Sequence, residues 1–293
     1  MINYFRRPLD FLLFSNLFIS LGAAAQGLVT YHLLGFTPSW YIIAFLFFST
    51  ILAYNFSILI QKPRDPLNSK YRRVRWIFKN YKLNFTITII SVIALIPLVL
   101  LFSIPSKILA VVLGIISIGY SMPLFVSSSG RKFGLRNIPG LKLILIALVW
   151  ALSSVTLPLL ELQHNHQLQI SFLNIFILTF KRFLFVTAIT IPFDIRDMFQ
   201  DKTFKLKTIP TVFGEKKSYL LCQFLLITYL ILLFFFKSYG FNADFFALAS
   251  TVFLTGWLIF KSKWEKNEYY YFFYLDGTLI LQYVMLLLFS FII

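Results

Sequence analysis

Ile191-Pro192-Phe193-Asp194-Ile195-Arg196-Asp197-Met198-Phe199-Gln200-Asp201 closes an apolar run that begins near residue 169. A helix continuing out of that run places Asp194, Asp197 and Asp201 three and four residues apart, so their carboxylates share one face. Three like charges on one face are unfavourable unless they are solvated or neutralised. Magnesium, which takes one or two carboxylates together with phosphate and water oxygens, neutralises them well. Arg196, Lys202 and Lys205 offer a different solution, a solvated helix end paired with its own bases. The spacing alone leaves both open.

The chain on either side is too apolar for one soluble core. Of 293 residues, 59% are hydrophobic and 13% charged, with mean hydropathy +0.80, so lipid is the expected solvent for much of the surface. Requiring about 17 to 25 mostly apolar residues per span predicts helices near 10–31, 39–60, 84–104, 106–125, 141–160, 169–193, 218–236, 243–261 and 269–292. Ile104, Pro105 and Ser106 are expected to form the tight turn between the third and fourth. The predicted class is all-α, a polytopic membrane protein with one transmembrane domain over 1–293. Arg6 and Arg7 before an apolar stretch ending in Gly22-Ala23-Ala24-Ala25 imitate a signal peptide. The apolar run continues through Leu28 and Val29, so an uncleaved first helix is expected.

The net charge of +16 is a topology signal. Segment 61–83 carries eight Lys or Arg, among them Lys62, Arg64, Arg72, Arg73 and Arg75; 127–142 carries Arg131, Lys132, Arg136 and Lys142. Segments 194–217 and 261–268 are also basic, whereas the loops between are almost free of Lys and Arg. Every second loop is therefore basic, which predicts a cytoplasmic N-terminus and an outer C-terminus in a bacterial-type inner membrane. No basic region stands apart from the spans, so nucleic acid is not an expected partner. The single cysteine, Cys222, excludes an internal disulfide and any CxxC site. His32, His164 and His166 fall in the opposite loops, and His164 and His166 read as surface residues.

The segment from Asp194 to Gly214 resembles the second aspartate motif of the UbiA superfamily of intramembrane prenyltransferases. There, DxxDxxxD is followed by a short basic loop, a Thr-Leu-Pro-like element, here Thr208-Ile209-Pro210, and a glycine, here Gly214. Nine spans, long loops after spans two and six, Tyr120-Ser121-Met122-Pro123 and Gly140-Leu141-Lys142 extend the resemblance over nearly the whole chain. It implies transfer of a prenyl group from a polyprenyl diphosphate to an aromatic or other membrane-soluble acceptor. It also implies magnesium held by Asp194, Asp197 and Asp201, with these three as the catalytic set.

The first motif of that family, NDxxDxxxD, is not kept. Ala53-Tyr54-Asn55-Phe56-Ser57-Ile58-Leu59-Ile60-Gln61-Lys62-Pro63 retains only the asparagine, with Phe56, Leu59 and Pro63 where the acids belong. Asp65 comes two residues late for that helical face. Bases of segment 61–83 could meet a diphosphate directly as cations, or the site no longer ionises a prenyl diphosphate and serves as a non-catalytic isoprenoid or lipid-phosphate site. Asp276, about two turns into the ninth span, is expected to face a wet cavity. Lys181 and Arg182, mid-span in the sixth, are candidates for the same cavity. The expected substrate-binding set is Asn55, Lys62, Arg72, Arg73, Arg131, Lys132, Lys142 and Asp276.

Overall fold

Hydrocarbon offers backbone groups no hydrogen-bond partner, so each apolar run must satisfy its own amides as a helix. The computed structural model describes residues 2–60, 62–63, 65–122, 125–126, 132–138, 140–166, 170–203, 207–236, 240–265 and 267–292. Among them are helices α1 (Ile2–Phe14), α2 (Leu17–Leu34), α3 (Trp40–Ile60), α4 (Arg72–Lys79), α5 (Tyr81–Leu100), α6 (Ile104–Ser121) and α7 (Leu141–Ala151). They continue as α8 (Leu157–His166), α9 (Phe172–Thr203), α10 (Ile209–Phe213), α11 (Glu215–Phe234), α12 (Ala243–Lys261) and α13 (Asp276–Ile292). A π-helical segment, Leu152–Thr156, fuses α7 and α8 into one span, and another, Tyr270–Leu275, extends α13. Nine of the described helical stretches are long and apolar enough to cross a membrane.

Pairwise packing closes eight of these spans into a ring. α2 lies against α3 and α13, α13 against α12, α12 against α11, α11 against α9, α9 against α7, α7 against α6, and α6 against α3. Helix α5 leans on α3 from outside and presents Ile89, Ile93, Ile96 and Leu100 outward, as a lipid-facing stripe should.

Three expectations need correction. The first span starts at Leu17 rather than residue 10, because Asn16 adopts a left-handed conformation (φ 68°) that breaks the run into two helices. Asparagine tolerates that conformation better than most residues. The turn between the third and fourth spans lies at residues 101–103, and Pro105 sits in the first turn of α6, where its missing N–H has no intrahelical partner to lose. The fourth span ends at Ser121, after which Phe125–Val126 pairs antiparallel with Lys132–Phe133 in a two-residue ladder.

Candidate functional site

Helix α9 runs about ten residues past Pro192 and carries all three expected acids in its last turns. They share a helix but do not meet in one cavity: Asp194 and Asp197 line one, Asp194 and Asp201 another. Asp194 is buried and accepts a hydrogen bond from Lys142 Nζ at 2.5 Å. Asp197 accepts from both Nε and Nη2 of Arg196 at 3.0 Å, and from the Tyr71 hydroxyl at 3.1 Å. Asp201 lies about two turns beyond Asp194, in a small cavity that it shares with Asp194, Arg136, Lys142, Lys207 and Thr208. Its Oδ2 is buried without a hydrogen-bond partner. The Thr208-Ile209-Pro210 element explains this placement: Thr208 caps α10 through a reciprocal box with Thr211, and Gly214, at φ 83°, turns the chain into α11. Helix α10 thus folds back along α9 beside Asp201.

The facing wall comes from three distant segments. Asn16 donates to the Asn55 side-chain oxygen at 2.6 Å and accepts from Arg73 Nη2 at 2.5 Å. Arg73 belongs to α4, whose first amides point at one carboxylate: Glu268 accepts from the backbone N–H of Arg72 at 2.6 Å and of Arg73 at 3.0 Å. A carboxylate at a helix N-terminus satisfies free amides and opposes the helix dipole. Asp10 of α1 anchors the same helix, accepting from Arg72 Nη2 at 2.6 Å and from the Tyr269 hydroxyl. Phe14, Trp76, Tyr269 and Phe272 pack the space between.

These walls enclose a cavity of about 180 Å³ lined by Asn16, Arg73, Lys142, Asp194, Arg196, Asp197 and Asp276. Arg73 and Arg196 stand over the same Phe272 ring, at 4.6 and 5.5 Å from its centre. Burial pulls the Arg73 guanidinium below the usual arginine range, and the Asp276 carboxylate opposes that shift. Past Tyr54 the space becomes apolar. One chamber of about 320 Å³ shares Tyr54, Arg73 and Ile146 with the polar cavity. A second, of about 390 Å³, shares Tyr54, Val149 and Trp150 with the first and reaches Leu95 of α5 and Gly114 of α6.

The expected binding residues therefore divide. Asn55, Arg73, Lys142 and Asp276 meet at or behind the cavity wall. Arg72 points away to Asp10, and Lys62 lies over the Phe78 ring at 5.9 Å; neither lines the cavity. Arg131 and the Lys132 side chain lie outside the described residues. Lys181 and Arg182 are elsewhere as well. Arg182 donates to the Gln26 carbonyl and Ser154 Oγ, and Lys181 is buried over Phe236, so neither reaches Asp276. Asn16, Arg196 and Glu268 did not stand out as site residues. Asn16 carried a signal, a polar residue of high left-handed tolerance inside an apolar run; Arg196 was legible as a base pairing the neighbouring acids, though not as a wall of the cavity, and the role of Glu268 arises only from tertiary pairing.

The donor set does not fit a magnesium site of the kind the resemblance implies. Among the described residues no group of three His, Cys, Asp or Glu side chains could hold a metal ion. Asp194 and Asp197 are each engaged by a protein cation, and the opposite wall supplies amides and a guanidinium where carboxylates would be needed.

No protein-family model and no curated protein matches the sequence. Two solved structures are similar to it. The apo structure of a UbiA homologue from Aeropyrum pernix K1 has a TM-score of 0.61 at 12% identity, covering 97% of this chain and 98% of the other. The structure of a UbiA homologue from Archaeoglobus fulgidus bound to GPP and Mg2+ has a TM-score of 0.62 at 11% identity, covering 96% and 99%. With the nine spans and the acids at the end of the sixth already placed, the likeness over both whole chains identifies the fold of this protein as that of the UbiA homologues.

Proposed function

We propose that the chain is a divergent UbiA-superfamily protein that receives a polyprenyl diphosphate in the membrane and transfers its prenyl group to an aromatic or quinone-precursor acceptor. One observation carries this reading: a polar cavity at the basic end of the bundle opens past Tyr54 into two apolar chambers between α3, α6 and α7. That is the shape of a charged head on a long apolar tail. The Archaeoglobus fulgidus homologue, which binds GPP and Mg2+, supports the same ligand class. The whole chain acts as one transmembrane unit, with its basic end in the cytoplasm.

In the reaction, the allylic C–O bond breaks and its electron pair leaves on the diphosphate oxygen. The acceptor then forms a bond to the prenyl carbon and loses a proton. Arg73, Arg196 and Lys142 stabilise charge on the departing head, and the faces of Tyr54, Phe272 and Trp150 stabilise the cationic tail. Asp194 and Asp197 position Lys142 and Arg196 for that task.

A second reading, a non-catalytic isoprenoid site, is favoured by the loss of acids from α3 and by the ion pairs that occupy Asp194 and Asp197. Radiolabelled geranylgeranyl diphosphate and the purified protein separate the two. Diphosphate release that depends on an added phenolic acceptor supports transfer; binding without release supports the second reading; absence of binding at every chain length overturns both. Gly114 borders the deeper chamber, and a Cβ there meets nothing within 4 Å. Gly114→Phe is expected to weaken binding of long donors while sparing geranyl diphosphate. Equal loss for both lengths would mean that the tail lies elsewhere.

A further inference from the structure

We propose that the cavity holds a phosphate-bearing lipid head without a divalent metal, through the Arg73 and Arg196 guanidiniums and the Asn55 amide. The inference rests on the lipid-diphosphate reading above and specifies how its head is bound.

Three buried N–H donors lack any acceptor in the protein: Arg73 Nε and Arg196 Nη1, on residues that line the cavity, and Asn55 Nδ2, directly behind the lining residue Asn16. Buried donors without partners are rare and costly, and an isolated one calls for a local explanation. Three together call for an acceptor, and a phosphate group, which offers several oxygens and accepts strongly, fits all three. Each of the three is held through another of its polar atoms: Arg73 Nη2 donates to Asn16, Arg196 Nε and Nη2 donate to Asp197, and Asn55 Oδ1 accepts from Asn16. The free edges are therefore aimed by fixed contacts rather than by loose side chains.

Charge points the same way. The groups facing the cavity are Arg73 on α4, Lys142 on α7, Asp194, Arg196 and Asp197 on α9, and Asp276 on α13. Three cations balance three carboxylates, leaving no surplus negative charge to draw in a divalent cation. Two guanidiniums over one phenyl ring repel each other, a repulsion that an oxyanion between them relieves. The family resemblance puts carboxylates and magnesium on the α3 side of the cleft. Here Arg73, reaching in from α4 to Asn16 and Asn55, brings a positive charge to that side directly. Arginine suits the exchange because its planar fork matches phosphate oxygens and stays charged when buried.

The test is equilibrium binding of geranylgeranyl diphosphate to the full-length protein in phosphatidylcholine nanodiscs, in EDTA and in magnesium. Affinity in EDTA should stay within about threefold of that in magnesium, and geraniol, which lacks the head, should not compete. In EDTA, Arg73→Gln should weaken binding about 10- to 100-fold, the loss of a charge-assisted contact. Arg73→Lys, which keeps the charge but not the fork, should fall between and serves if the glutamine variant does not fold. Lys79→Gln, which removes a charge from the exposed end of the same helix, should bind as the wild type does. Binding that requires magnesium overturns this inference and leaves the lipid-diphosphate reading standing. Wild-type affinity of both Arg73 variants in EDTA also overturns it, and absence of binding in either condition removes both.

Discussion

Asp201 shows how position along one helix face separates three chemically identical side chains. Asp194 and Asp197 each meet a cation within hydrogen-bonding distance, whereas Asp201 keeps a buried oxygen without a partner. Burial pushes its carboxyl above the usual carboxylate value of 3.8, Lys142 pulls it down in part, and Asp194 and Asp197 push it up again. The folded protein therefore binds a proton at Asp201 more tightly than the unfolded chain does. Stability is greatest below the unfolded value and falls as pH rises from there through the raised folded value. Asp201→Asn should flatten that decline in the thermal midpoint of the detergent-solubilised protein. An unchanged pH profile would show that Asp201 is as solvated when folded as when unfolded.

At the scale of elements, the segment between the second and third spans matters most, because it is where the acids of the first motif were replaced. Read as a basic loop, it contains helix α4, and that helix delivers Arg73 to the cavity. Eight residues rarely hold a helix alone. Glu268 on its first amides, Asp10 on Arg72 and the Trp76 ring against Phe14 hold this one. Glu268→Ala should destabilise α4 locally by about 1 to 2 kcal/mol, seen as faster hydrogen exchange of its amides with little change in the spans. Its effect on ligand affinity should resemble a weaker form of Arg73→Gln. Unaltered exchange in α4 would mean that the aromatic packing alone suffices. None of this was legible from segment 61–83, since the partners sit on α1 and beside α13, 62 and about 195 residues away.

At the scale of the molecule, the span count was legible because the bilayer imposes it. A run of 20 apolar residues has few alternatives in lipid, and the alternation of basic loops checked the count independently. The acids of α9 were legible for a similar reason, as local helix spacing. What escaped was the pairing of Asp194 with Lys142, because Lys142 reads equally well as a topology charge, whereas Arg196 beside Asp197 was among the bases the sequence offered. The basic segments do gather at one end, where Arg72 meets Asp10 and Glu268, Tyr71 meets Asp197, and Lys142 meets Asp194. The opposite end gathers Tyr41, Ser103 and Glu161, and His32 with Asp244.

The polar cavity opens at the basic end, so the orientation of the chain decides which compartment supplies the lipid head. The positive-inside rule predicts that this end faces the cytoplasm. A membrane-impermeant maleimide tests this directly, because the native Cys222 is fully buried and contributes little background. His164 and Lys79 are both exposed, at opposite ends of the bundle. His164→Cys should react on intact cells, and Lys79→Cys only after the membrane is opened. The reverse pattern would put the guanidiniums on the outer face. A head supplied from the cytoplasm could not then reach them without crossing the bilayer, and the ligand would have to come from the outer leaflet.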